Sequence, residues 1–258
     1  MDTDEAEHVI GDLPPWGAAR LRELRTTLLS AEEPFPCTFA VSGMKRGMLR
    51  YGFVGPVGEP GAVDALASVL TAYLESYRSI GRETSLVVFF RPDRRVRPLA
   101  EQRADFWGVL EGLRARDPEP WPRDVPGDPD DPLWEFCFRG APLFVVCNTP
   151  AHGRRRSRHS PGFFITFQPR WVFEGLEEGT PRGDSARRVI RDRLRRFDGM
   201  EPSTVLGSYG APDNREWRQY FLPDTDAAPE GWPERCPMRA AEHADPPGEG
   251  GSPARVAS

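Results

Sequence analysis

Apolar positions recur along this chain with a helical period in some stretches and a strand period in others. The clearest helical stretch holds Leu66, Val69, Leu70, Tyr73, Leu74 and Tyr77, whose spacing puts all six on one face. Pro14-Pro15 followed by Leu21, Leu24 and Leu28 predicts a helix over residues 16 to 30, because proline suits a first helical turn and the leucines make one stripe. Phe106, Trp107, Leu110 and Leu113 predict another. Thr180-Pro181 can cap and start a last helix, striped by Val189, Ile190, Leu194 and Phe197 with arginines around the rest.

The strand signals lie between these. SLVVFF (85–90) is β-branched and aromatic on both faces, as a central strand buried on two sides would be. LWEFCFRGAPLFVVCN (133–148) predicts two strands around Arg139-Gly140-Ala141, a hairpin or tight connection, and FFITF (163–167) predicts one more. Helices and strands mix without strict βαβ alternation. The expected fold class is therefore α+β, a single domain with a central mixed, mostly antiparallel sheet flanked by helices. It should span residues 12–238. The remainder, 239–258, contains AAEHADPPGEGGSPARVAS, has almost nothing to bury, and is expected to be a disordered tail.

Composition narrows the function classes. The 258 residues include 28 prolines and 25 glycines, which sit between the periodic segments and read as turns. The start, MDTDEAEHVI, lacks a basic and apolar leader, and no stretch is long and apolar enough to span a bilayer, so a soluble cytoplasmic protein without a membrane partner is expected. A net charge of −5 argues against nucleic acid as a partner. Four cysteines at irregular spacing read as free thiols rather than a disulfide framework.

Most familiar site motifs fail. GFVGPVGEPG (52–61) spaces its glycines as GxxGxxG rather than GxGxxG, and no Walker motif is present. Zinc on Cys37, Cys137, Cys147 and His152 lacks any CxxC or HxxxH spacing, and thiol proteolysis by Cys37 with His152 or His159 lacks a local signature. Cys137 and Cys147, inside apolar strands, read as core fillers. The tract HGRRRSRH (152–159) leaves the sheet with four arginines, whose forks suit carboxylates or phosphates unless the tract is only a solvated loop. The arginines of SARRVIRDRLRRF read as a solvated helix face. For Cys37, held in PFPC, a core, a bridge, a metal and a cofactor all stay open.

EEPFPCTFA, SLVVFF, WPRDVPGDPDDPLWEFCFRGAPLFVVCNTPAHGRRRSRH, FFITFQPRWVFE and DNREWRQYFL, in this order, resemble the YqcI/YcgG family from about residue 20 to Met238. Some relatives in that family are haem-dependent N-hydroxylases of arginine or similar guanidines in natural-product pathways. The resemblance therefore implies an oxidoreductase, a monooxygenase carrying haem b that N-hydroxylates a guanidine-bearing amino acid with O2 and electrons from a separate donor protein. A haem-binding or other ligand-binding protein without turnover, a sensor or carrier, is the alternative.

The resemblance also assigns roles. Cys37 is the expected iron ligand and catalytic thiolate, because a thiolate pushes electron density toward O–O cleavage, and amides around Thr38 and Phe39 would tune its sulfur. His152 is the competing axial ligand or a proton relay. A divergent branch keeps the F-P-C but has histidine where this chain has Thr149, which favours Cys37. Arg154 and Arg158 are expected to clamp haem propionates or a substrate carboxylate, with Trp134, Phe163 and Trp171 lining the macrocycle. For the substrate guanidinium, Glu135, Glu216 and Asp213 are the candidate carboxylates, with Gln219 and Tyr220 closing the site.

Overall fold

SLVVFF forms the strand on which everything else is hung. In the computed structural model, which describes residues 7–93, 95, 97–177, 179–225 and 234–241, this strand, β2 (Ser85–Phe90), is buried along its whole length. Its alternation divides the interior in two. Leu86, Val88 and Phe90 enter one core and Val87 and Phe89 enter the other, as expected of a strand covered on both faces.

Five strands make the sheet in the order β1-β2-β5-β4-β3, where β1 is Leu49–Val54, β3 is Phe136–Phe138, β4 is Ala141–Asn148 and β5 is Phe164–Pro169. β1 and β2 pair in parallel, and the other three pairings are antiparallel. The sheet is thus mixed and mostly antiparallel. The parallel pair is joined through the helix α3 (Ala62–Ile80), the connection that parallel neighbours require. β3 and β4 form the expected hairpin, turned by Arg139 (φ 50°) and Gly140 (φ 69°). Two successive positive φ angles match the twist of a two-residue hairpin loop.

The first core lies between the sheet and the helices α3 and α4 (Leu99–Arg114). Leu66, Leu70, Tyr73 and Tyr77 pack there against Phe106, Leu110 and Leu113, as their spacing predicts. α1 (Gly17–Leu29) and α2 (Thr38–Lys45) cover the other face, where Leu21, Leu28 and Met44 meet Leu49, Tyr51, Val87 and Phe89. α5 (Pro181–Asp198) is capped by Thr180, whose hydroxyl accepts the Gly183 amide at 3.1 Å. A single helical turn, α6 (Trp217–Tyr220), sits on β4. No helix among the described residues is long and apolar enough to cross a membrane.

Periodicity misses α2 and β1. α2 packs tightly enough that a Cβ on Gly43 would lie 2.5 Å from the Glu83 carbonyl oxygen. Gly43→Ala is therefore expected to cost about 1–3 kcal/mol by forcing backbone apart, read as a lower urea midpoint with unchanged slope. Of the presumed tail, Ala241 donates to the Gly127 carbonyl at 2.8 Å and Arg114 reaches the Ala240 carbonyl at 3.0 Å. Residues 242–258 lie outside the described residues.

Candidate functional site

The PFPC stretch ends where α2 begins. Cys37 is the N-cap, extended at φ −74° and ψ 101°, and its Sγ accepts the Ala40 amide at 3.4 Å. Serine, threonine or aspartate normally fill this position with oxygen. A thiol is a weak acceptor and a thiolate a far better one, so the cap and the positive end of the helix favour the ionised sulfur. Burial pushes the Cys37 thiol up, while the Ala40 and Phe39 amides and the Arg158 guanidinium work in the opposite direction. The donors are thus one residue further on than Thr38 and Phe39 alone.

Arg158 belongs to the basic tract, which β4 delivers to the same end of the sheet. The Thr149 amide donates to the Arg158 carbonyl at 3.0 Å, and Asn148 Nδ2 donates to the Ser157 carbonyl at 3.2 Å. The tract is wound around two carboxylates. Asp224 accepts from the amides of Gly153, Arg154 and Arg155 at 2.7–2.9 Å, and Asp198 accepts from the Ser157 amide at 2.7 Å and hydroxyl at 2.8 Å. Burial alone would raise the Asp224 carboxyl, but those three amides hold it below its usual range.

This winding separates the four arginines. Arg154 and Arg156 are exposed, whereas Arg155 and Arg158 are buried. Arg155 spends its guanidinium on the carbonyls of Pro223 and Thr225 at 2.8 and 3.3 Å. Arg156 pairs with Glu33 and lies 4.9 Å from the centre of the Phe197 ring, which meets Phe35 edge-on at 5.5 Å. Arg158 donates through Nη2 to the Gln219 carbonyl at 3.2 Å, and its buried Nη1 has no hydrogen-bond partner among the described residues. Of the expected clamp, Arg158 stands beside Cys37, and Arg154 points its side chain to solvent.

His152 is buried, and both of its ring nitrogens are engaged. Nε2 meets the Leu222 carbonyl at 3.0 Å, so it must donate. Nδ1 then accepts from the Thr149 hydroxyl, also at 3.0 Å. Burial pulls the imidazole down to about 4. Its place in the fold is that of a neutral cross-link between the basic tract and the 216–225 segment, and ligating iron would cost one of those bonds.

Several of the remaining candidates cluster around Arg170 and α6. Glu135 and Glu216 both pair with Arg170, whose guanidinium stacks 3.9 Å from the Tyr209 ring. Burial raises the Glu216 carboxyl, and Arg170 opposes that rise. Gln219 Nε2 donates to Asn214 Oδ1 at 3.0 Å, and the Tyr220 hydroxyl donates to the Leu143 carbonyl and accepts the Phe136 amide at 3.1 and 3.2 Å. Trp134 and Phe163 belong to the first core, with the sheet between them and α2. Trp171 packs on Tyr77 and under Arg82, and Asp213 is exposed. Arg170, Glu135 and Glu216, with Asn214 and Gln219 nearby, thus form a second polar cluster held by one guanidinium, in which Arg170 Nε and Asn214 Nδ2 have no hydrogen-bond partner among the described residues.

Asp198 and Asp224, which hold the basic tract in place, carry no sequence signal. Their partners lie dozens of residues away along the chain, out of reach of any local pattern.

The sequence comparisons join this geometry to known proteins. "Uncharacterized protein YqcI" of Bacillus subtilis (strain 168) is 39% identical over 225 residues, 86% of this chain and 89% of the relative. "Uncharacterized protein YcgG" of the same strain is also 39% identical, over 223 residues, 85% of this chain and 88% of the relative. "Putative N(omega)-hydroxy-L-arginine synthase DcsA" of Streptomyces lavendulae is 34% identical over 222 residues, 84% of this chain and 82% of the relative. No solved structure gives a significant match. The model of the YqcI/YcgG family matches residues 24–239, which include PFPC, α2, the basic tract and α6, so this chain belongs to the YqcI/YcgG family.

Proposed function

We propose that this protein is a haem-dependent monooxygenase that N-hydroxylates the guanidine of arginine or an arginine derivative, in natural-product biosynthesis. The Streptomyces lavendulae relative, named for N(omega)-hydroxy-L-arginine synthesis, supports the substrate class. The observation that carries the reading is the place of Cys37 at the N-cap of α2, with the Arg158 guanidinium near enough for its charge to act on the sulfur. A sulfur at a helix N-terminus, bonded by an amide and faced by a guanidinium, suits a thiolate ligand. The unpartnered buried Nη1 of Arg158 suits an anion that the chain itself does not provide.

Cys37 would hold the iron, and Arg158 would hold a propionate or the amino acid's carboxylate. Bound haem would supply reductive activation of O2, which thiolate ligation favours. The chain's own part is to present the sulfur at the helix N-terminus, to fix that anion, and to hold the 149–160 tract still through Asp198 and Asp224. His152 stays neutral at physiological pH and serves as a cross-link.

Carbon monoxide added to the reduced protein is expected to give the strongly red-shifted Soret band of thiolate coordination. Cys37→Ala should lose that band and the conversion of arginine, and His152→Gln should keep the band. An imidazole-type spectrum that survives Cys37→Ala and disappears in His152→Gln would reassign the ligand. A haem spectrum without oxidation of any guanidine would favour a sensor or carrier, and a protein that never takes up haem would refute the reading.

A further inference from the structure

The arginines of α5 do more than solvate a helix. The segment Pro181–Asp198 carries seven arginines against three aspartates in a chain whose net charge is −5, so this helix is positive in a chain that is negative as a whole. Its ion pairs are those of Arg187 with Asp184 and of Arg195 with Asp192 and Glu201. Arg182, Arg188 and Arg196 are exposed and form none among the described residues. Arg182, Val189 and Arg196 recur at seven-residue intervals and share a face, and Val189 is left 40% exposed between the two charges. One exposed valine is not an apolar patch; what sets this face apart is three exposed arginines that form no ion pair among the described residues, a positive surface suited to an acidic partner.

The position of α5 says what docks there. Arg193 donates to the Phe35 carbonyl at 3.3 Å, and Phe197 meets the Phe35 ring, two residues before Cys37. The inner side of the helix therefore braces the PFPC loop, and its outer side faces solvent. N-hydroxylation places one atom of O2 in the new N–O bond and releases the other as water, and the two electrons and two protons this consumes come from outside the chain. We propose that the exposed face of α5 is the docking surface for the electron donor, an acidic one-electron iron–sulfur protein that brings its cluster to the Cys37 side. The inference rests on the monooxygenase reading for the partner's role, and on charge complementarity for its place. Weak electron-transfer encounters need only a small interface and are steered by opposite charge.

The test uses a plant-type acidic [2Fe–2S] ferredoxin as probe, with binding followed by fluorescence anisotropy and electron transfer by the carbon monoxide complex. Wild-type protein is expected to bind the ferredoxin with an affinity that falls as salt rises, because exposed charges are screened. Arg182→Glu, Arg188→Glu and Arg196→Glu together are expected to weaken binding and slow ferredoxin-driven reduction at least about tenfold at low ionic strength. Haem content and reduction by dithionite should not change. Equal ferredoxin binding by the triple variant, or salt-independent binding, overturns the proposal. So does tighter binding of an oligonucleotide than of ferredoxin, lost in the variant, which would make the face a phosphate-binding surface. Absence of haem from the wild type would sink the monooxygenase reading instead, and the anisotropy data would still decide whether α5 receives an acidic protein.

Discussion

Arg170→Met is expected to lower folding stability by about 3–5 kcal/mol at neutral pH, the range for breaking a buried ion pair from one side. Glu135 is fully buried and Glu216 nearly so, and one guanidinium serves both. Without it, two carboxylates face each other out of water, and each must take a proton or pull solvent inward. Both would then titrate above an unfolded glutamate, so the native variant binds more protons than its unfolded chain as pH falls toward about 5. Stability of the variant relative to wild type must rise in that direction. Urea melts at pH 7 and pH 5 check this, and adding Glu135→Gln with Glu216→Gln should recover most of the loss. A deficit that does not shrink on acidification would show that Arg170 works through packing against Phe173 and Tyr209 rather than through charge.

The second large effect is an acid sensitivity centred on His152. Its folded value of about 4 lies below the value of about 6.5 expected of an unfolded histidine, and burial is the main cause. Between those limits the unfolded chain binds the extra proton and the native chain does not. Stability therefore falls as pH drops through this window, is fully present above about pH 6.5, and loses on the order of 3 kcal/mol by pH 4. His152→Gln should flatten that segment of the stability profile, because an amide can still donate to the Leu222 carbonyl without titrating. A profile of unchanged slope in the variant would place the acid sensitivity elsewhere.

Much of the fold was legible because its signals are local. The stripe from Leu66 to Tyr77 and the doubly apolar SLVVFF depend only on period, and both occupy the places that period implies. The segment from Thr38 to Val54 defeated the same reading. α2 buries Gly43 and Met44 while leaving Phe39 and Val41 half-buried, so its apolar residues make no clean stripe. In β1 the alternation of Leu49, Tyr51 and Phe53 is real, but Arg50 and Gly52 on the opposite side read as loop.

The neighbourhood of Cys37 was legible only in part, for a related reason. The tract RRRSR does not reveal which arginines turn inward, because Asp224 and Pro223, some seventy residues on, decide it. Likewise Glu135 and Glu216 were suspected of awaiting a guanidinium. They meet one, but it is the chain's own Arg170.

Strand order also sets a schedule for synthesis. β5 lies between β2 and β4, yet among the described residues it is the last strand made. While the ribosome is still completing residues 91–163, β2 keeps one edge unpaired and the β3–β4 hairpin has no sheet to join. Both expose apolar strand surface of the kind that recruits other chains. Emergence of Phe164–Pro169 closes both edges at once, so the nascent protein is most open to misassociation, and most in need of a chaperone, just before β5 leaves the ribosome.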